Sequence, residues 1–126
     1  MDLIDAHTHI HFQAFDKDQE AVIERARKAG VKMICVGTQA ETSESAIKLA
    51  HKYPEDIWAT AGFHPNHVVD IGHSAQEEHK VWHHAENEQE ANRPEKFDIE
   101  FLRKLSQHPK VVAIGECGLD YYRQTP

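Results

Sequence analysis

Three short segments carry side chains that could bind a cation or move a proton. His7 and His9 stand two residues apart in Asp5-Ala6-His7-Thr8-His9. On a strand, residues i and i+2 point the same way, so both imidazoles can reach one ion, and imidazole suits zinc and iron among others. Asp5 falls on the same alternating face one step deeper, where a carboxylate can orient an imidazole. The second segment is Gly62-Phe63-His64-Pro65. Its glycine permits close approach and its proline fixes the exit direction, so His64 could donate to a phosphate oxygen or shuttle a proton. The third is Gly115-Glu116-Cys117-Gly118-Leu119-Asp120-Tyr121-Tyr122. Glu116 ends an apolar run, where a carboxylate is costly unless paired or bound to metal. Its two oxygens can bridge two cations. Asp120, four residues on and after a glycine turn, could hold water or a ligand histidine. Each segment also has a plainer reading: an exposed histidine pair, a histidine in a tight turn, a glutamate paired with lysine and an aspartate capping a helix. A lone His-x-His is short and weakly specific.

The elements that must position these residues alternate. Leu3 to His9 reads as a strand by its period of two. Asp16 to Ala29 reads as a helix with Ala21, Val22, Ala26 and Ala29 as its apolar stripe, closed by Gly30. Val31 to Gly37 is nearly continuous in apolar residues, as in parallel strands covered on both faces. Thr42 or Ser43 caps a second helix that runs to Tyr53 and stops at Pro54. Ile57 to Phe63 is a third strand. A third helix starts near Asp98, with Ile99, Leu102 and Leu105 on one face, and ends near His108-Pro109. Val111 to Glu116 is a fourth strand. Such β-α-β alternation argues an α/β fold with a parallel sheet, and it puts His7, His9, His64 and Glu116 at C-terminal strand ends, where α/β barrels and open α/β sheets place their sites.

Composition bounds the remainder. The chain has 126 residues, 14 basic and 21 acidic, for a formal charge of −7. That argues against a broad, salt-driven nucleic-acid surface but not against an enzyme that holds phosphate through metal ions. Leu, Ile, Val and Phe make up 27 residues, and 70–96 hold only Ile71 and Val81 of them. The length suits one domain, 1–126, with a polar, histidine- and glutamate-rich insert at about 70–96. No run of 18 apolar residues exists, so no transmembrane helix is expected. The start carries no basic leader, and Cys35 and Cys117 form no framework, which together point to a cytoplasmic protein with reduced thiols. The eleven histidines are many for this length.

The three segments together resemble the signatures of the TatD-type metal-dependent deoxyribonuclease family, in the family's order and over nearly the whole chain except 70–96. The glutamate segment is the most specific, since His-x-His is shared with other amidohydrolase-like barrels. The resemblance implies the first half, about four β/α units, of a TIM-type (β/α)8 barrel. It implies two divalent metal ions (Mg, Mn or Zn), with His7 and His9 holding the first and Glu116 bridging both. It also implies His64 beside the substrate phosphate and DNA as substrate. Glu116 and His64 are then the catalytic pair, while Asp5, Asp120 and Tyr121 bind substrate or support the ligands from behind. Alternatives from other classes are a metal-dependent ester or amide hydrolase, for example of aminoacyl esters, and a truncated, non-catalytic metal-binding fragment.

The chain departs from the family pattern twice. The 70–96 insert is longer than the family's usual connection, and the later ligands, two histidines and an aspartate from strands five, six and eight, have no counterpart. A full barrel takes about 250 residues. A fragment of a longer protein is the favoured explanation, ahead of a natural truncation or two chains closing one barrel. Strands one and four are then bare edges that invite self-association. His11 continues the alternation but falls in the loop beyond the strand and is given no role. His79 and His83 share a helical face in the insert and are read as solvated, as is the acidic run from Glu86 to Glu90. Trp82 could pack on the barrel or meet a partner, and Arg123 could contact phosphate. Cys117 is expected in the core under the helices.

Overall fold

The computed structural model describes residues 3–68 and 95–119. Its elements run β1 (Leu3–Thr8), α1 (Gln19–Lys28), β2 (Val31–Val36), α2 (Ala40–Lys52), β3 (Ile57–Ala61), α3 (Ile99–Ser106) and β4 (Val111–Ile114), with short 3₁₀ turns at Gln13–Phe15 and Pro65–His67. The strands form one sheet in the order β1-β2-β3-β4. Every pairing is parallel. Sequential order with a helix between neighbours is what β-α-β units produce.

All three helices cover one face of this sheet. Met33, Cys35, Ile57 and Ala59 pack there with Ile23 of α1 and with Ala46, Ile47, Leu49 and Ala50 of α2. Ala61, Phe63 and Leu102 extend the layer toward α3. The expectation that the strands are covered on both faces is met on one face only. On the other, Ile4 remains about half exposed, and Val112 and Ile114 of the edge strand β4 are half exposed as well. The helices occupy only one side of the described sheet, so Ile4 of β1, on the opposite face from Met33, has none of them over it.

Helix ends differ from the sequence reading for local reasons. The stretch from Asp16 to Asp18 is turn, so α1 begins at Gln19, and it ends as expected before Gly30, whose φ is +70°. α2 begins at Ala40, two residues before the expected cap. Thr42 acts from inside the first turn, its hydroxyl accepting from the N–H groups of Thr38 and Gln39 at 2.9 Å each. Asp98 caps α3 as expected, Oδ1 accepting from Glu100 N at 3.0 Å and Phe101 N at 2.9 Å. Ile99, expected on the apolar face, is 49% exposed, while Leu102 is buried. Val68 and Glu95 form a β-bridge, and Glu95 Oε1 accepts from Ala40 N at 2.8 Å at the start of α2. Burial pushes the Glu95 carboxyl pKa up.

Candidate metal centre

The strand register decides what His7 and His9 can face. Asp5 pairs with Met33 and Thr8 with Cys35, so three residues of β1 advance against two of β2. Met33 and Cys35 share the buried, helix-covered face, so Asp5 and Thr8 share it too, and the extra residue turns His7 and His9 to the opposite face. This corrects the expectation that Asp5, His7 and His9 lie on one face. Among the described residues, Asp5 forms no ion pair with an imidazole. Its Oδ1 accepts from the backbone N–H of His7 at 3.1 Å and holds the bulged segment.

His9 is prepared as a ligand. Its Nδ1 lies 3.2 Å from the carbonyl oxygen of Val36. A carbonyl only accepts, so Nδ1 carries the ring proton and Nε2 keeps a free lone pair. Burial lowers its pKa from the ordinary value, helped by the neighbouring His7, so the ring stays neutral at pH 7. His64 is set the other way round. Its Nδ1 accepts from Asn66 N at 3.1 Å, which leaves the proton of the neutral ring on Nε2. That atom stands 3.3 Å from Glu116 Oε1. A protonated nitrogen is a donor and not a ligand.

Glu116 must cross the sheet to join these histidines. β1 and β4 are opposite edges, nominally about 14 Å apart in a flat sheet, yet Glu116 Oε2 lies 3.6 Å from His7 Nε2. β4 ends at Ile114. Gly115 N still bonds to Ala61 O at 3.0 Å, but Glu116 N reaches Gly37 O, at the end of β2, at 3.2 Å. The chain therefore passes over the end of β3. Gly62 makes this possible, because a Cβ there would stand 2.3 Å from Gly115 C, 2.4 Å from its oxygen and 2.6 Å from Glu116 N. Gly37 is equally tight against Ser43, whose Oγ would lie 2.3 Å from an added Cβ. Ser43 in turn accepts from Gly62 N at 3.2 Å and donates to Gly62 O at 3.3 Å.

One donor atom each from His7, His9 and Glu116 falls within 4.8 Å of the others, the one such group of three among the described residues. Two imidazole nitrogens and a carboxylate oxygen form a donor set that suits a divalent cation such as Zn or Mn. The free Nε2 of His9 is the observation that fits them to one. The structure thus brings together His7, His9, His64 and Glu116. Asp120 and Tyr121 lie outside the described residues, as do Trp82, His79, His83, the acidic run and Arg123. Cys117 is exposed, not buried under the helices. The strand stops three residues earlier, so alternation cannot be carried that far. His11 lies in the turn after β1 but is 7% exposed, with neither ring nitrogen hydrogen-bonded. Ser43 and Thr60 carry no motif of their own; Gly37 and Gly62, at the ends of β2 and β3, are the available sign.

A model of the family described as TatD related DNase matches residues 4–126. The chain belongs to the TatD-related DNase family. Curated TatD relatives agree. The protein named 3'-5' ssDNA/RNA exonuclease TatD of Erwinia tasmaniensis is 39% identical over 111 residues, covering 86% of this chain and 34% of the relative. The protein of the same name in Musicola paradisiaca is 36% identical over 122 residues, covering 96% of this chain and 38% of the relative. The crystal structure of YJJV, a TatD homolog from Escherichia coli K12, superposes with a TM-score of 0.65 at 30% identity, over 95% of this chain and 38% of that one. The chain spans a little over a third of the length of these relatives. Its parallel sheet and alternating helices are the first half of the TIM-type barrel of the TatD fold. No helix of the described residues is long and apolar enough to cross a membrane.

Proposed function

We propose that this chain carries the His-x-His and glutamate part of a metal-dependent nucleic-acid phosphodiesterase. The observation behind the reading is the convergence of His7, His9 and Glu116 within 4.8 Å at the C-terminal end of a parallel sheet. Relatives named as 3'-5' single-stranded DNA/RNA exonucleases favour a nucleic-acid 3′ end over an aminoacyl ester as substrate. We take residues 1–126 as part of one barrel domain. The Val68–Glu95 bridge closes the neck of the insert, which supports 70–96 as an excursion from that domain.

His7 and His9 would hold one divalent ion, and Glu116 would bridge it to a second. Mg, Mn and Zn are the candidate ions. Glu116 turns Oε2 toward His7, while its Oε1 faces the Nε2 proton of His64. The ions would lower the pKa of water and neutralise charge on the scissile phosphate. His64, with its proton on Nε2, donates to a phosphate oxygen and fixes the substrate beside Glu116. Asp5 holds the His7 backbone and so the direction of its ring. We assign Asp120 and Tyr121 to substrate or water binding from their place four and five residues after Glu116. The half-exposed Ile4, Val112 and Ile114, all on the edge strands, support self-association through the open sheet.

The test is Mn²⁺ binding by calorimetry, together with hydrolysis of a single-stranded oligonucleotide by the same sample. Glu116→Gln should weaken Mn²⁺ binding about tenfold or more and remove the chelator-sensitive hydrolysis. Unchanged binding in that variant would overturn the assignment.

A further inference from the structure

Thr60 is 7% exposed and lies on β3 between Ala59 and Ala61, which face the helices. It therefore points to the other face of the sheet, the face that carries the donor group. Its hydroxyl donates to the carbonyl oxygen of Gly115 at 2.6 Å, across 55 residues of sequence. Gly115 is the residue whose peptide bond leads into Glu116. The other end of that same peptide is held independently, since Glu116 N donates to Gly37 O at 3.2 Å. Gly37 N in turn donates to the backbone oxygen of Thr60 at 3.3 Å. Three hydrogen bonds thus close a ring through the ends of β2, β3 and β4.

A peptide unit is planar, so fixing both its C=O and its N–H fixes the Cα that follows. The strand ladder alone cannot do this. It gives only Gly115 N to Ala61 O, and β4 has already ended. A buried hydroxyl is also costly unless it is bonded, and valine has the same shape without that cost. The hydroxyl at position 60 therefore has a task that packing does not set.

We infer that Thr60 is a positioning residue: by tethering the Gly115 carbonyl it fixes where the Glu116 carboxylate stands relative to His7, His9 and His64. Ser43 backs it from α2 by bonding both polar groups of Gly62, over which the tethered peptide passes. The inference rests on the proposed metal site.

The test compares wild type, Thr60→Val, Thr60→Ser and Glu116→Gln, reading Mn²⁺ affinity by calorimetry and the melting midpoint of the metal-free chain. Thr60→Val should bind Mn²⁺ about tenfold more weakly, as losing the support behind a ligand does. Thr60→Ser, which keeps the hydroxyl, should bind within about twofold of wild type. If Thr60→Val melts lower but binds Mn²⁺ as wild type does, the hydroxyl serves the fold alone and the inference falls. Equal weakening in the Val and Ser variants also sinks it, because Ser keeps the hydroxyl and any change at position 60 would then have the same effect. Should Thr60→Val not fold, Thr60→Ala takes its place with the same expected and refuting results. Glu116→Gln separates the two ideas. If it weakens binding while Thr60→Val does not, only Thr60 is misassigned; if Glu116→Gln binds normally, the site reading fails and this inference with it.

Discussion

Adding one methyl group at Gly62 should dismantle the donor group while leaving the sheet standing. The Cβ of Gly62→Ala would meet the backbone of Gly115 and Glu116 at 2.3, 2.4 and 2.6 Å. Heavy atoms in comfortable contact stand about 3.5 Å apart, so the 115–116 peptide must retreat by about 1 Å. It has no flexible side-chain end to yield, because the atoms met are backbone. The retreat lengthens the 3.2 Å bond from Glu116 N to Gly37 O beyond use. The carboxylate moves with it, away from His7 and His9. Overpacking costs about 1–3 kcal/mol, partly offset by about 0.4–1 kcal/mol from the stiffer unfolded chain. Displacing a ligand by about 1 Å should cost at least tenfold in Mn²⁺ affinity. Calorimetric titration with Mn²⁺ and urea unfolding of the same samples measure both quantities. Wild-type affinity in Gly62→Ala would refute the argument that Glu116 reaches the histidines by passing over this glycine.

Two further predictions concern histidines. His64→Ala should leave Mn²⁺ affinity within about twofold of wild type while lowering oligonucleotide hydrolysis about a hundredfold, since its Nε2 carries a proton and serves substrate; a matching loss of metal affinity would make it a ligand instead. His11 is held neutral by burial, its pKa lowered to about 3 from 6.5. Because the folded value lies below the unfolded one, this contribution to stability is complete above pH 6.5 and is lost as pH falls toward 3. Between pH 6.5 and 4 the loss is about 3 kcal/mol. Urea unfolding of wild type and His11→Leu at pH 7 and pH 4 reads it, and equal acid losses in the two proteins would show that His11 is not the cause.

Much of this was legible from local sequence. Strand–helix alternation, the Gly30 stop and the Asp98 cap depend on neighbours within a few residues, and the structure has them where expected. The grouping of His7, His9, His64 and Glu116 was legible because each ends a strand or follows one. The misreadings share a cause. Period-two alternation was extended through Asp5–His9 and through Ile114–Cys117, but the register slips within the first and the strand ends before the second. Alternation holds only while a neighbouring strand imposes it. Thr60 and Ser43 were invisible for another reason. Their partners, Gly115 and Gly62, lie 55 and 19 residues away, and nothing in a threonine or serine names a partner at that range.

The route taken by Glu116 separates two properties that a complete barrel would show together. In a closed eight-strand sheet, residues from distant strands converge because the sheet curls round. Here the donors from the two edge strands already meet within residues 7–116, because the chain bends over Gly62 and bonds at Gly37, next to β1. That meeting depends on two glycines, two hydroxyls and one backbone crossing, all inside the described sheet. The meeting of the three donors is therefore a property of the β1–β4 unit. The exposed Ile4, Val112 and Ile114 belong to the other property, the closure of the sheet and the walls that would choose a substrate. Substitutions at Gly62 and Thr60 should act on the first alone, and substitutions at the bare apolar face should change association without weakening Mn²⁺ binding. If a single polar change at Ile4 abolished metal binding in a folded chain, the two properties would be one, and the donor group would owe its geometry to whatever covers that face.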